Sequence, residues 1–294
     1  MGARPLDAAW LACFSGGLGA AGCEEPSRFV GTSVDGEAYE GQIICGGCIG
    51  AVHGGVADFT RPSPHSLSLP GLDNIARNWD SFNGLRGSDL AAELAAVDGP
   101  ICEIAAGPGG GFMPTVRRWN PAARIMVNDG SPAVVSLWRT FLASRGLSGG
   151  LCFAAFDLTE PVLRPGCLAA VSSAAGFTNV DGFSADPVHE AVLRVKAALR
   201  PGGLVFADEA IIDPADWSHL RGEARMRWEA QPFVATHLAV SISERLRRAG
   251  FEVLRRDVHP GRALDPDEGL IPREAAKYGI TLHTRREVVR ARRP

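Results

Sequence analysis

Ile101-Cys102-Glu103-Ile104-Ala105-Ala106-Gly107-Pro108-Gly109-Gly110-Gly111-Phe112 decides how this chain is read. The run opens apolar after the Gly99-Pro100 break, carries one acid, and passes into glycines. A buried strand closing in a tight turn has this pattern. Glycine permits the sharp turn and lets a ligand approach the main chain closely. A helix beginning after the turn would aim its unpaired N–H groups at that ligand. Taken alone, the run also suits an ordinary strand–turn–helix corner.

Working outward, strand-like and helix-like segments alternate. A helix is predicted from Met113 to Trp119, and a strand over Ala123–Val127 that ends at Asn128-Asp129-Gly130-Ser131-Pro132. Pro132 to Ser144 reads as a helix, and Leu151–Phe156 as a strand ending at Asp157. Cys167–Ser172 is the next strand, Pro187–Leu199 the next helix, and Pro201-Gly202-Gly203 turns the chain into a strand at Leu204–Ala207. Upstream, Ser88 caps a helix reaching Val97. Such alternation predicts a doubly wound, mostly parallel α/β sheet with ligands at the carboxyl ends of its strands. Asp129 stands 20 residues after Gly109. A carboxylate at that strand end can accept bonds from both hydroxyls of a ribose. Asp157, behind Phe156, can accept from an exocyclic amine while the aromatic ring packs on a purine. Each acid taken singly reads equally as a cap or a solvated loop residue.

The dinucleotide fingerprint G-x-G-x-x-G fits poorly, since Ala105 occupies its first glycine position, with Gly107 and Gly110 in the other two. Glu103 followed by Ala105, Gly107 and Gly109 instead resembles motif I of the class I S-adenosylmethionine-dependent methyltransferases, acid-x-Gly-x-Gly-x-Gly, with alanine for the first glycine. Ala197-Ala198-Leu199-Arg200-Pro201-Gly202-Gly203 resembles that family's Leu-x-Pro-Gly-Gly turn. Leu246-Arg247-Arg248-Ala249-Gly250-Phe251-Glu252-Val253 is similar to its late Leu-x-x-Ala-Gly-Phe segment. The resemblance runs from roughly residue 72 to 260 and implies a Rossmann-like, seven-stranded methyltransferase sheet that binds S-adenosylmethionine. It implies that Glu103 serves the methionine amino group and Asp129 the ribose. Phe156-Asp157 would contact adenine. Ala105, Gly107, Gly109, Gly130 and Ser173 would complete the cofactor site.

Composition frames this reading. The chain has 294 residues, 46% of them hydrophobic and 21% charged, with a net charge of −3. That length can bury a sizeable core, and the composition is that of a soluble globular protein. Near-neutral charge gives no general pull toward nucleic acid or an anionic membrane. No apolar run approaches membrane-spanning length and no signal peptide is evident, so the expected compartment is the cytoplasm. The thiols Cys102, Cys152 and Cys167 sit in apolar surroundings and read as small buried hydrophobes.

Residues 1–62 differ from the rest: they are glycine-rich and hold Cys13, Cys23, Cys45 and Cys48. They are expected to form a small Cys-containing subdomain ahead of a methyltransferase domain at 63–294. Cys45-Gly46-Gly47-Cys48 is a C-x-x-C knuckle, and Ile49 to Phe59 resembles the end of the zinc-ribbon leaders that precede some bacterial methyltransferases. A zinc site from the four thiols is one reading. A degenerate ribbon held by packing is the other. Residues 61–72 read as a linker, and Ile75, Trp79 and Phe82 lie at helical spacing after it.

Methyl transfer is an in-line displacement that needs alignment more than acid–base machinery. A base helps only when the acceptor must lose a proton. Two segments should flank the transferred methyl. Ser172 to Asp181 offers Phe177 and Asn179, with His189 beyond. Residues 209–240 form a cap insert that offers Trp217, Trp228 and His237. His189 and His237 are the candidate bases, and the aromatics are either acceptor contacts or packing. His283 to Pro294 carries five arginines and one acid and is expected to be a solvated, partly disordered tail. Three functions remain open: a methyltransferase for a small organic acceptor, an RNA base methyltransferase with a zinc ribbon, and a non-catalytic cofactor-binding protein. A homo-oligomer also stays open.

Overall fold

A computed structural model describes residues 28–34, 37–45, 48–60, 75–76, 88–107, 111–160, 162–180, 186–213, 217–231, 234, 241–268 and 270–294. The centre of the fold is parallel: β5 (Ile101–Ile104), β6 (Ile125–Asp129), β7 (Leu151–Ala155), β8 (Leu168–Ala174) and β9 (Leu199–Asp213). These strands are buried on both faces. Alternation sends Cys102 and Ile104 into one core and Ile101 into the other. The helices α1 (Ser88–Ala95), α2 (Met113–Trp119) and α3 (Pro132–Ser144) cover one face through Leu94, Val116 and Trp138. On the other face lie α4 (Pro187–Ala198) and α6 (Ile242–Arg248), through Val192 and Leu246. Pro132 follows the Ser131 cap, whose hydroxyl accepts the Val134 amide at 3.5 Å, and so starts α3 where the sequence places it.

Among the described residues eleven strands form one sheet, in the order β1-β2-β3-β4-β7-β6-β5-β8-β9-β11-β10, with β10 at Glu252–His259 and β11 at His283–Arg292. Counting from β5, the seven strands from β7 to β10 run 3-2-1-4-5-7-6, a doubly wound order that reverses between β5 and β8. The four extra strands are β1 (Arg28–Val34), β2 (Glu37–Cys45), β3 (Cys48–His53) and β4 (Val56–Asp58). They make an antiparallel meander whose last strand pairs parallel with β7, Ala57 opposite Ala154. The described part of the expected Cys-containing subdomain thus joins the central sheet. Ala38, Ile43, Val52 and Ala57 are buried in the same core as β5 and β8, so the meander continues the sheet. Gly50 is required there, because a Cβ on it would lie 2.2 Å from the Phe59 ring.

The C-terminal expectation is corrected. His283–Arg292 is strand β11, antiparallel to both β9 and β10 (Glu252–His259). Its arginines find acids on neighbouring elements. Arg286 pairs with Asp208 through two contacts of 2.6 Å, and Arg285 with Asp213 at 2.6 Å. Arg290 pairs with Glu93, and Arg292 with Glu252 at 2.6 Å. Pairing with β11 along ten residues also explains why β9 runs well past the predicted Leu204–Ala207.

A third, smaller core lies beyond β9. Ile212, Leu220 and the fully buried Trp228 of α5 (Gly222–Glu229) meet Ala275 of α7 (Leu270–Ala276), Ile280 and Leu282. This small core draws on two stretches, the segment after β9 and the connection between β10 and β11. Among the described residues no helix is long and apolar enough to cross a membrane.

Candidate functional site

The strand order reverses between β5 and β8, which opens a crevice at the carboxyl ends of the central strands. The predicted glycine turn leaves β5 there. Ala105 has φ +45° and Gly107 φ +51°, so alanine occupies a left-handed conformation normally given to glycine. Asn128 holds the turn in place. Its carbonyl accepts the Ala106 amide at 2.8 Å, and its Oδ1 accepts the Ala105 amide at 3.3 Å. The Asn128 Nδ2 donates to the carbonyls of Ala154 and Phe156 at 3.3 and 3.1 Å. One buried amide thus ties together the ends of β5, β6 and β7. The sequence reading missed it, since asparagine before Asp-Gly looks like turn chemistry.

Asp129 Oδ2 accepts the Gly107 amide at 2.9 Å, and its Oδ1 accepts the Ser131 amide at 2.9 Å. Burial pushes this carboxyl above its ordinary value, against the lowering effect of the two amides. A Cβ on Gly107 or on Gly130 would meet no atom within 4 Å, so both glycines beside Asp129 border open space. Trp138, which the sequence offers as a packing residue of the 132–144 helix, donates its indole N–H to the Gly107 carbonyl at 2.5 Å.

Glu103 is 1% exposed and lies beneath the turn. Its Oε1 accepts the Phe112 amide at 3.2 Å, and its Oε2 accepts the Ser172 hydroxyl. Gly111, with φ +50°, lies against this carboxylate, and a Cβ there would fall 1.7 Å from Oε1. Glu103 therefore fastens both the far end of the glycine turn and the end of β8.

Phe156 is packed into the core at 2% exposure. Asp157 Oδ1 accepts both the amide and the hydroxyl of Thr159 at 2.8 Å. Asp58, on β4, does the same with Thr60, at 2.8 and 2.7 Å. The Asp157 turn is therefore a local closure that recurs where no adenine contact was expected.

Ser173 is buried, with its hydroxyl on Glu209 Oε1 at 2.5 Å. Phe177 is buried as well, and Asn179 ends the short 3-10 turn Phe177–Asn179. Trp217 packs edge-on to Trp228 with ring centroids 6.0 Å apart, and Trp228 meets Tyr278 at 5.5 Å. Both tryptophans belong to the third core, the packing alternative of their sequence reading. His189 sits in the first turn of α4, where its amide donates to Asp186 Oδ1 at 3.0 Å. Gly109, His237, Cys13 and Cys23 lie outside the described residues. Cys45 and Cys48 are Cα partners across β2 and β3, joined by Gly46-Gly47, the composition of a tight hairpin. Among the described residues no group of three or more His, Cys, Asp or Glu side chains is placed to hold a metal ion.

The strand order and the turn between β5 and β6 decide the architecture. It is a Rossmann-like, doubly wound α/β sheet. No family model and no curated protein matches the chain. Among solved structures it is similar to the [4+2]-cyclase SpnF, at 18% identity and a TM-score of 0.48, over 73% of this chain and 82% of that one. It is similar to the YcgJ protein of Bacillus subtilis, at 11% identity and a TM-score of 0.49, over 70% and 97% of the two chains. A third is the geranyl diphosphate C-methyltransferase of Streptomyces coelicolor A3(2), at 12% identity and a TM-score of 0.47, over 79% and 100%. At these values the likeness adds no weight to what the topology already gives.

Proposed function

We propose that the chain binds S-adenosylmethionine at the carboxyl ends of β5 and β6 and passes its methyl group to a small organic acceptor. The observation that carries this reading is the Asp129 carboxylate. It is anchored to the Gly107 amide and flanked by two glycines that border open space. A carboxylate oxygen has lone pairs to spare after one amide bond, so Asp129 can still accept ribose hydroxyls. When bound, the cofactor supplies a methyl group on a sulfonium with an excellent leaving group. The protein's part is to orient that group and to exclude water.

Within this reading Glu103 shapes the turn from below, and the post-β8 turn Phe177–Asn179 forms the acceptor side. His189 and His237 are the candidate bases for an acceptor that must lose a proton. A nucleic-acid acceptor is disfavoured, because Arg285, Arg286, Arg290 and Arg292 of β11 are paired with acids and do not form a basic surface for phosphates. A zinc site at Cys13, Cys23, Cys45 and Cys48 would be structural. Elemental analysis of the purified protein tests it, and metal-free, folded protein ends that idea.

Isothermal titration with S-adenosylhomocysteine tests the cofactor site. Incubation of the protein with labelled S-adenosylmethionine and a panel of candidate metabolites then tests transfer. Saturable binding together with a labelled product supports the proposal. Binding without any labelled product moves the assignment to a cofactor-binding protein, and no binding removes the proposal altogether.

A further inference from the structure

Glu209 is buried on β9, and no part of the methyl-transfer reading uses it. Four donors converge on its carboxylate. The Ser173 hydroxyl reaches Oε1 at 2.5 Å, and the Phe177 amide reaches Oε1 at 3.3 Å. The Thr178 amide and hydroxyl reach Oε2 at 2.9 and 2.6 Å. Two of these donors are main-chain amides of the 3-10 turn that follows β8, so one side chain fixes that turn's position. Between the strand and the turn lie Ala175, at φ +59°, and Gly176. Gly176 is pressed against the cofactor turn: a Cβ on it would fall 2.8 Å from the Ile104 carbonyl, 3.1 Å from the Ala105 Cβ and 2.7 Å from the Ser173 hydroxyl. Ala105 is the other alanine held at positive φ. Two left-handed alanines, at the ends of the neighbouring strands β5 and β8, thus meet across Gly176. Such backbone persists only where its surroundings over-determine it.

We propose that Glu209 is a positioning residue. By holding Phe177 and Thr178 it seats Gly176 on Ala105, so that the acceptor-side turn and the cofactor turn form one body. The proposal rests on the methyl-transfer reading for its purpose, but the mechanical link is independent of it. Glu209→Gln keeps the size of the side chain and puts an amide NH2 against donors that need an acceptor. Ser173→Ala removes one donor of the same link, and Gly176→Ala forces the Gly176 seat apart, because its Cβ would fall 2.8 Å from the Ile104 carbonyl.

The probe is S-adenosylhomocysteine, titrated into folded wild type, Glu209→Gln, Ser173→Ala and Gly176→Ala well below their melting temperatures. Amide exchange is followed alongside at residues 104–107 and 175–180. Glu209→Gln should weaken binding about tenfold, the scale of one buried charge-assisted bond, although Glu209 does not line the cofactor crevice. It should also speed exchange at Ala105, Ala106 and Gly107, across the Gly176 contact. The Ser173→Ala/Glu209→Gln double variant should lose no more than Glu209→Gln alone, as expected of residues acting in one network. A merely structural role would lower the melting temperature and leave both affinity and exchange at 105–107 unchanged, which overturns the proposal. If the wild type binds no S-adenosylhomocysteine, the methyl-transfer reading fails, and the link is then judged by exchange at 105–107 alone.

Discussion

The Asp129 carboxylate holds the Gly107 amide at 2.9 Å, joining the end of β6 to the turn that leaves β5. Asp129→Ala removes this bond, the Ser131 bond and the proposed ribose contact together. It should weaken S-adenosylhomocysteine binding by about 1–3 kcal/mol while the far-ultraviolet circular dichroism stays that of the wild type. Unchanged affinity in a folded variant would remove Asp129 from the cofactor site.

The same burial gives a pH signature. Asp129 is raised above its ordinary value of 3.8 in the folded chain, so between those two values the folded state holds more protons than the unfolded one. The stabilising contribution of this group is therefore complete below its unfolded pKa and is lost as pH rises through the folded pKa. Relative to Asp129→Asn, the wild type should lose stability across that window and then level off. Urea unfolding of the two proteins at a series of pH values reads this, and a relative gain with rising pH would contradict it.

Ala105 at φ +45° and Ala175 at φ +59° carry a left-handed cost that glycine avoids. Glycine adds freedom to the unfolded chain, which offsets part of the relief. Ala105→Gly should leave stability unchanged or raise it by up to about 1 kcal/mol, measured as a higher urea midpoint. A clear destabilisation would mean that the Ala105 methyl is needed for its contacts near Gly176.

Trp228 separates two views of the cap. As the centre of the third core, its replacement in Trp228→Ala should cost about 3–5 kcal/mol, with Trp217 fluorescence shifting as the cap loosens. If Trp228 instead served an acceptor, stability would change by less than about 0.5 kcal/mol.

Arg286 and Asp208 test the reading of the arginine-rich strand. Arg286→Met leaves the buried Asp208 carboxylate without its two-pronged partner and should cost about 3 kcal/mol. Arg292→Met, which breaks an exposed pair with Glu252, should cost less than about 1 kcal/mol. Equal costs would show that β11 is not read correctly.

The central sheet was legible because its signals are local. Apolar runs bounded by turns marked β5 to β8, and α2 and α3 fall at the residues predicted for them. Asp129 was marked by its place at a strand end near a glycine turn. Asp157 was marked by the same argument. Its carboxylate closes its own turn with Thr159, as Asp58 does with Thr60. A strand-end aspartate alone does not separate those cases. The rest was hidden because its partners are distant in sequence. Nothing local in Arg286 announces Asp208, and nothing in Val56–Asp58 announces β7. Glu209 escaped notice for a further reason, since main-chain amides leave no trace in the sequence of the residues that carry them.

Strand β11 follows β10 along the chain yet lies between it and β9. During synthesis β10 therefore emerges from the ribosome with no neighbour to join, and the long border of β9 stays bare until residues 283–292 arrive. An unmatched border of that length invites foreign strands. Premature termination shortly before residue 283 should thus yield aggregates in place of a slightly shorter folded protein.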